Sequence, residues 1–315
     1  MKNDELNRLI IDTDPGEDDA LAIMMAAVHA GTTIEAITVV GGNVGLAHTV
    51  NNACVVLDQL GLDVPVYAGC HQPLVRLSAD ASNAHGKDGL GNTGFRSSRP
   101  IESEHASAEI VRRANANPQQ LTLVTLGPFT NIATALLLDP DLPLKLKRVV
   151  SMAGAVTARG NTNVCTEFNV FADADAAFAV FDAWGRAGKV IEVADWELTA
   201  EHGFSKAMRA EWAALGTPNA DFFTAISAHS NRFIEEVRHR TLQRFADPVA
   251  MAVALMPSIV TRSEVHNLVV ETDGRFTRGQ TIVDWLDESA RPKNANIVLE
   301  MNKPQLYQLV MDALQ

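Results

Sequence analysis

The sequence is poor in cysteine. It has only Cys54, Cys70 and Cys165, and no two of them form a CxxC pair. Neither a disulfide framework nor a structural zinc site is expected, since both need paired or clustered cysteines. So few thiols are typical of a protein from a reducing compartment.

Positive charge is also scarce. The chain carries 26 Lys and Arg residues against 38 Asp and Glu residues, which gives a formal net charge of −12. No basic stripe with interleaved aromatic residues offsets this balance. Because such a chain repels phosphate backbones, nucleic acid polymers are not expected as partners.

Apolar terminal segments, linkers and repeats are missing as well. Met1 to Arg8 are polar and lead directly into Leu9-Ile10-Ile11, without the apolar run of a signal peptide or a membrane-spanning helix. We therefore expect a cytoplasmic protein without a membrane partner.

No Pro/Gly/Ser-rich linker divides the chain, and its hydrophobic content of 47% suffices for a large core. Residues 1–315 are therefore predicted to form one domain.

What is present is an alternation of two kinds of segment. Short, β-rich apolar runs occur at Leu9–Ile11, Ile34–Val40, Val64–Tyr67, Leu121–Leu126, Val149–Met152, Val190–Val193, Val265–Val270 and Ile297–Glu300. Segments of helical period lie between many of them, at Ala20–Ala30, Ala47–Leu60, Ala106–Ala116, Asn131–Leu138 and Ala174–Trp184. This order predicts an α/β, Rossmann-like domain with a mostly parallel central sheet and helices on both faces. Asp273-Gly274-Arg275 lies between the apolar run that ends at Val270 and the run Phe276–Val283, which predicts a β-hairpin appended to the main sheet.

Acidic residues crowd the turn after the first predicted strand. Four aspartates and one glutamate occur between Asp12 and Asp19. The structural alternative is helix capping, because Asp14 before Pro15 suits an N-cap and the pair Asp18-Asp19 complements the positive end of a helix, but this accounts for only part of the charge. Four carboxylates at one strand end repel one another unless a cation holds them, so a metal site is predicted.

The ligand types narrow the choice of metal. Oxygen donors without histidine or cysteine favour calcium or magnesium over zinc. The spacing does not match an EF-hand loop, and the GxxxxGK[ST] motif of a phosphate-binding loop is missing. A different enzyme class remains as an alternative. Aspartate-based magnesium phosphohydrolases also have an Asp-x-Asp motif after their first strand, and in that interpretation Asp12 or Asp14 of this chain would be the nucleophile.

The acidic turn opens a series of motifs that resembles the inosine-uridine preferring nucleoside hydrolases. Its first part is Asp14, Pro15, Gly16, Asp18 and Asp19 in order. The series continues with Gly42-Asn43, His85-Gly86, Leu123 to Asn131, Met152-Ala153-Gly154, Gly160-Asn161, Glu167-Phe168-Asn169 and Asp247-Pro248. Motifs in the right order over four-fifths of the chain are far more specific than any one of them.

The resemblance implies a calcium cofactor and a set of ligands. Asp14, Asp19 and Asp247 would hold the ion together with the main-chain oxygen of Leu126. A cap on the helix after Pro248 is the structural alternative for Asp247. The residues implied to bind ribose are Asp18, Asn43, Asn161, Glu167 and Asn169, and His85 would lie beside the base.

The implied activity is hydrolysis of the N-glycosidic bond of small-molecule ribonucleosides, in nucleoside salvage or catabolism, by a homodimer or homotetramer. Asp14 would be the general base that activates water toward an oxocarbenium-like transition state.

The sequence departs from the family at one position. Relatives commonly carry a histidine immediately before the aspartate that corresponds to Asp247, and this chain has Ala246 there. We therefore predict that His239, or a neighbouring arginine on the same helix, is the acid that protonates the leaving base. The missing histidine also keeps open a non-catalytic nucleoside-binding protein.

Overall fold

A computed structural model describes residues 6–77 and 80–315. Residues 1–5, part of the polar stretch from Met1 to Arg8, and residues 78–79 lie outside the described residues. Within the described ranges, every helix is too short or too polar to cross a membrane.

The described chain contains twelve strands. They are β1 (Asn7–Thr13), β2 (Thr32–Val39), β3 (Val66–Ala68), β4 (Leu121–Thr125), β5 (Arg148–Met152), β6 (Ile191–Ala194), β7 (Phe204–Ser205), β8 (Leu242–Gln243), β9 (Val260–His266), β10 (Leu268–Val270), β11 (Thr281–Val283) and β12 (Ala295–Met301). Strands one to six were all predicted within a few residues, because each contains apolar, β-rich residues that are mostly buried.

The main sheet has the strand order β3-β2-β1-β4-β5-β6-β12-β9. Neighbouring strands are parallel, except that β9 runs antiparallel to β12 at one edge. The chain builds outward from β1 through β2 and β3, then crosses back to β4 on the other side of β1. At such a reversal a crevice opens beyond the carboxyl ends of the strands, so the position after β1 is where a ligand is expected.

Helices cover both faces of this sheet, as predicted. They are α1 (Glu17–Val28), α2 (Leu46–Leu60), α3 (Ser82–His85), α4 (Ala106–Ala116), α5 (Thr130–Leu138), α6 (Leu142–Lys145), α7 (Phe168–Ala172), α8 (Ala174–Arg186), α9 (Trp196–Glu201), α10 (Lys206–Ala213), α11 (Pro218–Arg232), α12 (Asp247–Leu255) and α13 (Lys303–Leu314). A π-helical turn, Phe233–Val237, extends α11, and a 3-10 turn, Pro257–Ile259, follows α12.

Alternation along β1 separates two apolar cores. Leu9 and Ile11 belong to the core under α1, α12 and α13, whereas Ile10 belongs to the core under α4, α5 and α8. Successive side chains of a strand point to opposite faces of the sheet, so one strand contributes to both cores. The acidic turn after β1 is thereby anchored from both sides.

The predicted single strand Val265–Val270 is wrong, because the run divides at Asn267 into β9 and β10. The amide NH of Leu268 donates to Asn294 Oδ1 at 2.7 Å, which takes the chain out of the main sheet. β9 extends back to Val260 through exposed polar residues that gave no apolar signal.

The predicted hairpin is confirmed in part. Strands β10 and β11 pair antiparallel, but they form a separate two-stranded sheet and do not extend the main one. Phe276, expected at the start of the second strand, lies in the turn between them, and Gly279 takes a positive φ of 85° just before β11.

Candidate active site

A cavity of about 430 Å³ opens beyond the carboxyl ends of the central strands. Its size is typical of a small-molecule site. Most of the site residues predicted from the sequence line it, namely Asp18, Asn43, His85, Leu126, Asn161, Glu167, Asn169 and Asp247. Asp14 and Asp19 are completely buried next to these residues.

The acidic turn is held by hydrogen bonds to the neighbouring loop and to its own helix. Asp14 Oδ2 accepts from the backbone NH of Asn43 at 2.6 Å. Asp19 Oδ2 accepts from the backbone NH of Gly16 at 2.9 Å, and Asp19 Oδ1 accepts from the hydroxyl of Thr13. Capping therefore accounts for Asp19 but not for Asp14, since Gly16 is the N-cap of α1.

Several carboxylate oxygens converge here, and two of them accept no hydrogen bond from the described residues. One oxygen each of Asp18, Asp19 and Asp247 lie within 4.8 Å of one another. Asp14 Oδ1 and Asp18 Oδ1 are buried and have no hydrogen-bond partner among the described residues. Buried oxygens without donors are suitable ligands for a hard divalent cation, so this donor set fits a calcium ion.

The same crowding changes the acidity of the cluster. Burial, together with the charge of Asp19, raises the pKa of both Asp14 and Asp247 well above the ordinary aspartate range. Burial also raises the pKa of Asp18 to about 7. A cation would reverse these shifts by favouring the ionised carboxylates.

Leu126 follows directly after β4 and lines the same cavity. Its oxygen accepts from Asn169 Nδ2 at 2.6 Å, and this amide also donates to the carbonyl of Met152 at 3.1 Å. Asn169 thus joins the ends of β4 and β5. A backbone oxygen serves as a ligand whatever its side chain is, so a leucine is compatible with the predicted role.

The amide and carboxylate groups predicted to bind ribose are also held in place. Glu167, the N-cap of α7, accepts from the backbone NH groups of Gly154 at 3.0 Å and Asn169 at 2.7 Å. Asn43 Nδ2 donates to the carbonyl of Asp14 at 3.1 Å. Asn161 lies in a loop in which its backbone NH donates to the carbonyl of Thr166 at 3.0 Å.

On another side of the cavity, His85 forms an ion pair with Glu17. His85 Nδ1 lies 2.6 Å from Glu17 Oε2 and 3.9 Å from Asp18 Oδ1. Burial lowers the pKa of His85, but the charge of Glu17 outweighs it and raises that pKa to about 10. Trp196, Phe233 and Ile234 add apolar surface to the cavity, and flat aromatic walls suit a nucleobase.

Comparison with known proteins assigns the family. A family model described as inosine-uridine preferring nucleoside hydrolase matches residues 9–308. The chain belongs to this family. It is accordingly an enzyme of the nucleoside hydrolase class, as the sequence predicted.

Named relatives extend over nearly the whole chain. The inosine-uridine preferring nucleoside hydrolase of Leishmania major is 34% identical over 98% of this chain and 97% of its own. The pyrimidine-specific ribonucleoside hydrolase RihB of Escherichia coli strain K12 is 31% identical over 99% of this chain and 98% of its own. Among solved structures, an inosine-guanosine nucleoside hydrolase has a TM-score of 0.90 at 31% identity and covers 98% of both chains.

Within this nucleoside hydrolase, the segment predicted to carry the leaving-group acid is only partly helical. The helix α11 and its π-helical extension end at Val237, and His239 follows in a left-handed conformation with φ of 50°. His239 is exposed and is not among the residues that line the cavity, whereas Arg238, Arg240 and Arg244 are. Its catalytic role stays a prediction.

Sequence reasoning assigned no role to several residues of this cavity. Glu17 was counted only as part of the acidic turn, and Trp196, Ser230 and Gln243 were not singled out. The only sequence signal among these residues is the position of Glu17, a carboxylate between the signature residues Gly16 and Asp18. The others come from segments whose approach to the cavity depends on the packing of α9 and α11.

The raised pKa values of the buried carboxyl groups predict how pH affects the metal-free protein. Burial raises the pKa values of Asp18, Glu167 and Asp195 to about 7. Between about pH 4 and pH 7 the folded state then binds protons that the unfolded state has released, so stability falls as the pH rises through this window. We expect urea unfolding with a chelator present to show a loss of at least about 1 kcal/mol from pH 5 to pH 7.5.

Saturating calcium is the control for this measurement, because an ion beside Asp18 removes that residue's part of the pH dependence. A metal-free protein that is more stable at pH 7.5 than at pH 5 would contradict the burial of these carboxylates.

Proposed function

We propose that the protein hydrolyses the N-glycosidic bond of ribonucleosides to free base and ribose, with a calcium ion held by Asp14, Asp19, Asp247 and the main-chain oxygen of Leu126. The observation that carries this proposal is the convergence in one cavity of the buried oxygen cluster with Asn43, Glu167 and Asn169. Three ribose hydroxyls stripped of water need such fixed acceptors and amides.

The reaction assigns tasks to particular groups. The chemistry that the ion supplies when bound is activation of the attacking water. Asp14 takes the proton of that water at Oδ1, because its other oxygen, Oδ2, already accepts from Asn43. The water oxygen forms a bond to the anomeric carbon as the bond from that carbon to the base nitrogen breaks.

Negative charge around the sugar stabilises the transition state. As the bond to the base weakens, positive charge develops on the ribose ring, and the carboxylate of Asp18 favours it electrostatically. The backbone NH of Ala246 donates to Asp18 Oδ2 at 3.3 Å and holds that carboxylate at the cavity. The electron pair of the broken bond leaves with the base, which then takes up a proton.

An assay with five nucleosides tests this function directly. Purified protein incubated with inosine, adenosine, guanosine, uridine and cytidine should release ribose from at least one of them, and the ranking gives the base preference. Tight nucleoside binding without release of ribose would favour the alternative of a non-catalytic binding protein, which Ala246 keeps open.

The magnesium phosphohydrolase alternative has little support. One of its two candidate nucleophiles, Asp12, has its Oδ1 occupied by hydrogen bonds from Thr38 Oγ1 at 2.7 Å and Asn131 Nδ2 at 2.8 Å, two side chains outside the cavity lining. Absence of activity toward p-nitrophenyl phosphate is the expected result.

We also propose that the chain acts as a single domain in a cytoplasmic homodimer or homotetramer of nucleoside salvage or catabolism. The near-complete match to its relatives supports one domain. Light scattering of the purified protein measures the assembly, and a monomeric mass would contradict that part of the proposal.

His239 as the leaving-group acid is tested by substitution. His239→Ala should slow hydrolysis of inosine or uridine by roughly 10²–10⁴-fold, the factor that a general acid contributes. Hydrolysis of p-nitrophenyl riboside should stay nearly unchanged. The reason is that nitrophenolate departs without protonation, whereas a nucleobase benefits from an acid. Equal losses on both substrates, or no loss on either, would reject His239 and direct attention to the arginines or His85.

A further inference from the structure

Glu17 is a buried carboxylate for which the mechanism above has no use. It begins α1, its side chain is 4% exposed, and its Oε2 lies 2.6 Å from His85 Nδ1. Both residues line the cavity. An ion pair kept out of water in this way costs solvation energy, so a role beyond stability is a reasonable hypothesis for it.

Two buried polar residues lie beside Glu17 on this side of the cavity. Ser230 and Gln243 both line the cavity and are buried, and Ser230 is close enough to influence the Glu17 carboxyl. Gln243 Nε2 donates to Ser230 Oγ at 3.1 Å, and the hydroxyl of Ser230 donates to the carbonyl of Ser227 at 3.1 Å. These bonds keep both side chains in place next to the Glu17–His85 pair.

The ring of His85 is restricted as well. It packs so closely on Gly16 that a Cβ atom there would lie 2.6 Å from His85 Nδ1. The backbone of His85 is fixed by its NH, which donates to the carbonyl of Ala81 at 3.1 Å, and by its carbonyl, which accepts from the NH of Gly91 at 2.8 Å. The ring therefore keeps one orientation.

This arrangement assigns different tasks to the two ring nitrogens. Glu17 is an acceptor, so Nδ1 carries a proton and donates to it. Nε2 has no hydrogen bond to any of the described residues, although the ring borders the cavity. The nitrogen left for a bound ligand is Nε2.

We propose that Glu17 is a positioning residue that fixes His85 with Nε2 toward the departing base of a bound nucleoside. This inference rests on the proposed function and adds to it the residue that orients His85, the histidine that the family resemblance places beside the base. The negative charge of Glu17 favours the imidazolium form of His85, in which Nε2 also carries a proton to donate. The acceptors that it meets are ring nitrogens of purines or the carbonyl oxygens of pyrimidines.

Glu17→Gln separates this role from simple packing. Glutamine keeps the shape and still accepts from Nδ1, but it removes the charge. We expect kcat for inosine or uridine to fall by about tenfold or more with KM nearly unchanged, while p-nitrophenyl riboside loses less than about threefold. Glu211→Gln, on the exposed side of α10, is the matched control and should change neither substrate.

A double-mutant cycle tests whether Glu17 acts through His85. Added to His85→Ala, the Glu17→Gln change should cause no further loss on the nucleoside, because the group that it positions is already gone. In ¹⁵N-histidine spectra, the Nδ1 proton of His85 should appear far downfield in the wild type and be lost in Glu17→Ala. Melting temperatures of all variants report whether the fold is kept.

The outcomes of these experiments separate the positioning role of Glu17 from the proposed function. Equal losses on both substrates, additive losses in the cycle, or an unchanged Glu17→Gln variant overturn the positioning role. A wild-type protein that cleaves neither substrate overturns the proposed function, and this inference with it, whereas an active wild type with an unaffected Glu17→Gln variant overturns the inference alone.

Discussion

Replacing Asp14 with asparagine should lower kcat by more than about 10³-fold, since a general base alone contributes 10²–10⁴-fold and a metal ligand is weakened as well. The amide keeps the shape of the side chain and can still accept from the NH of Asn43. It cannot take the proton of the attacking water. Binding of a ribose-like inhibitor should therefore weaken much less than turnover.

The matched control for this change is Glu167→Gln. Glu167 accepts from three backbone NH groups and is implied to contact the ribose, so its substitution should act mainly on sugar binding and on KM. Steady-state kinetics and inhibitor titration of both variants give the comparison. An Asp14→Asn enzyme that keeps more than about a tenth of the wild-type kcat, a barrier change below ~1.4 kcal/mol, would disprove the base assignment.

Removing calcium should abolish activity and destabilise the fold together. Ionised, converging carboxylates repel one another once the counter-ion is gone, and an ion present at about 1,000 times its Kd stabilises the folded state by about 4 kcal/mol. We expect the melting temperature to fall by about 5 °C or more when the chelator EGTA is added. Elemental analysis should first show about one calcium per chain.

Asp247→Asn is the control for the calcium experiment. With a ligand removed, the variant should have a melting temperature that EGTA hardly changes, and it should lose most of its activity without a chelator. Restoring the wild type with calcium rather than zinc completes the test. Stoichiometric zinc without calcium in the purified protein would contradict the assignment of the metal.

Much of the architecture followed from the sequence, because its determinants are local. Parallel strands buried on both faces are rich in apolar runs, and α2 has the helical period and the left-handed glycine, Gly61, that mark a helix and its end. The edge strand β9 escaped prediction since an exposed strand has no apolar run to mark it. The hairpin was found through its turn residues, but the side chain of Asn294 decided that it leaves the main sheet.

The candidate site was predictable to the extent that it lies in ordered motifs. The acidic turn after β1 carries its own signal, because so many carboxylates at one strand end need a cation. Asn43, Glu167 and Asn169 were found through the resemblance. The position of His239 could not be predicted from the sequence, since the left-handed backbone that follows Val237 depends on how α11 ends.

By itself, therefore, the sequence determined the α/β class, the acidic turn and the family, all of which depend on neighbouring residues or on motifs in fixed order. Only the tertiary structure decided which distant groups meet. Ala246 reaches Asp18 across 228 residues, and His85 reaches Glu17 across 68. Such contacts arise from the stacking of helices on a sheet, where burial rather than any local pattern selects the partners, so the Glu17–His85 pair became visible only in the folded chain.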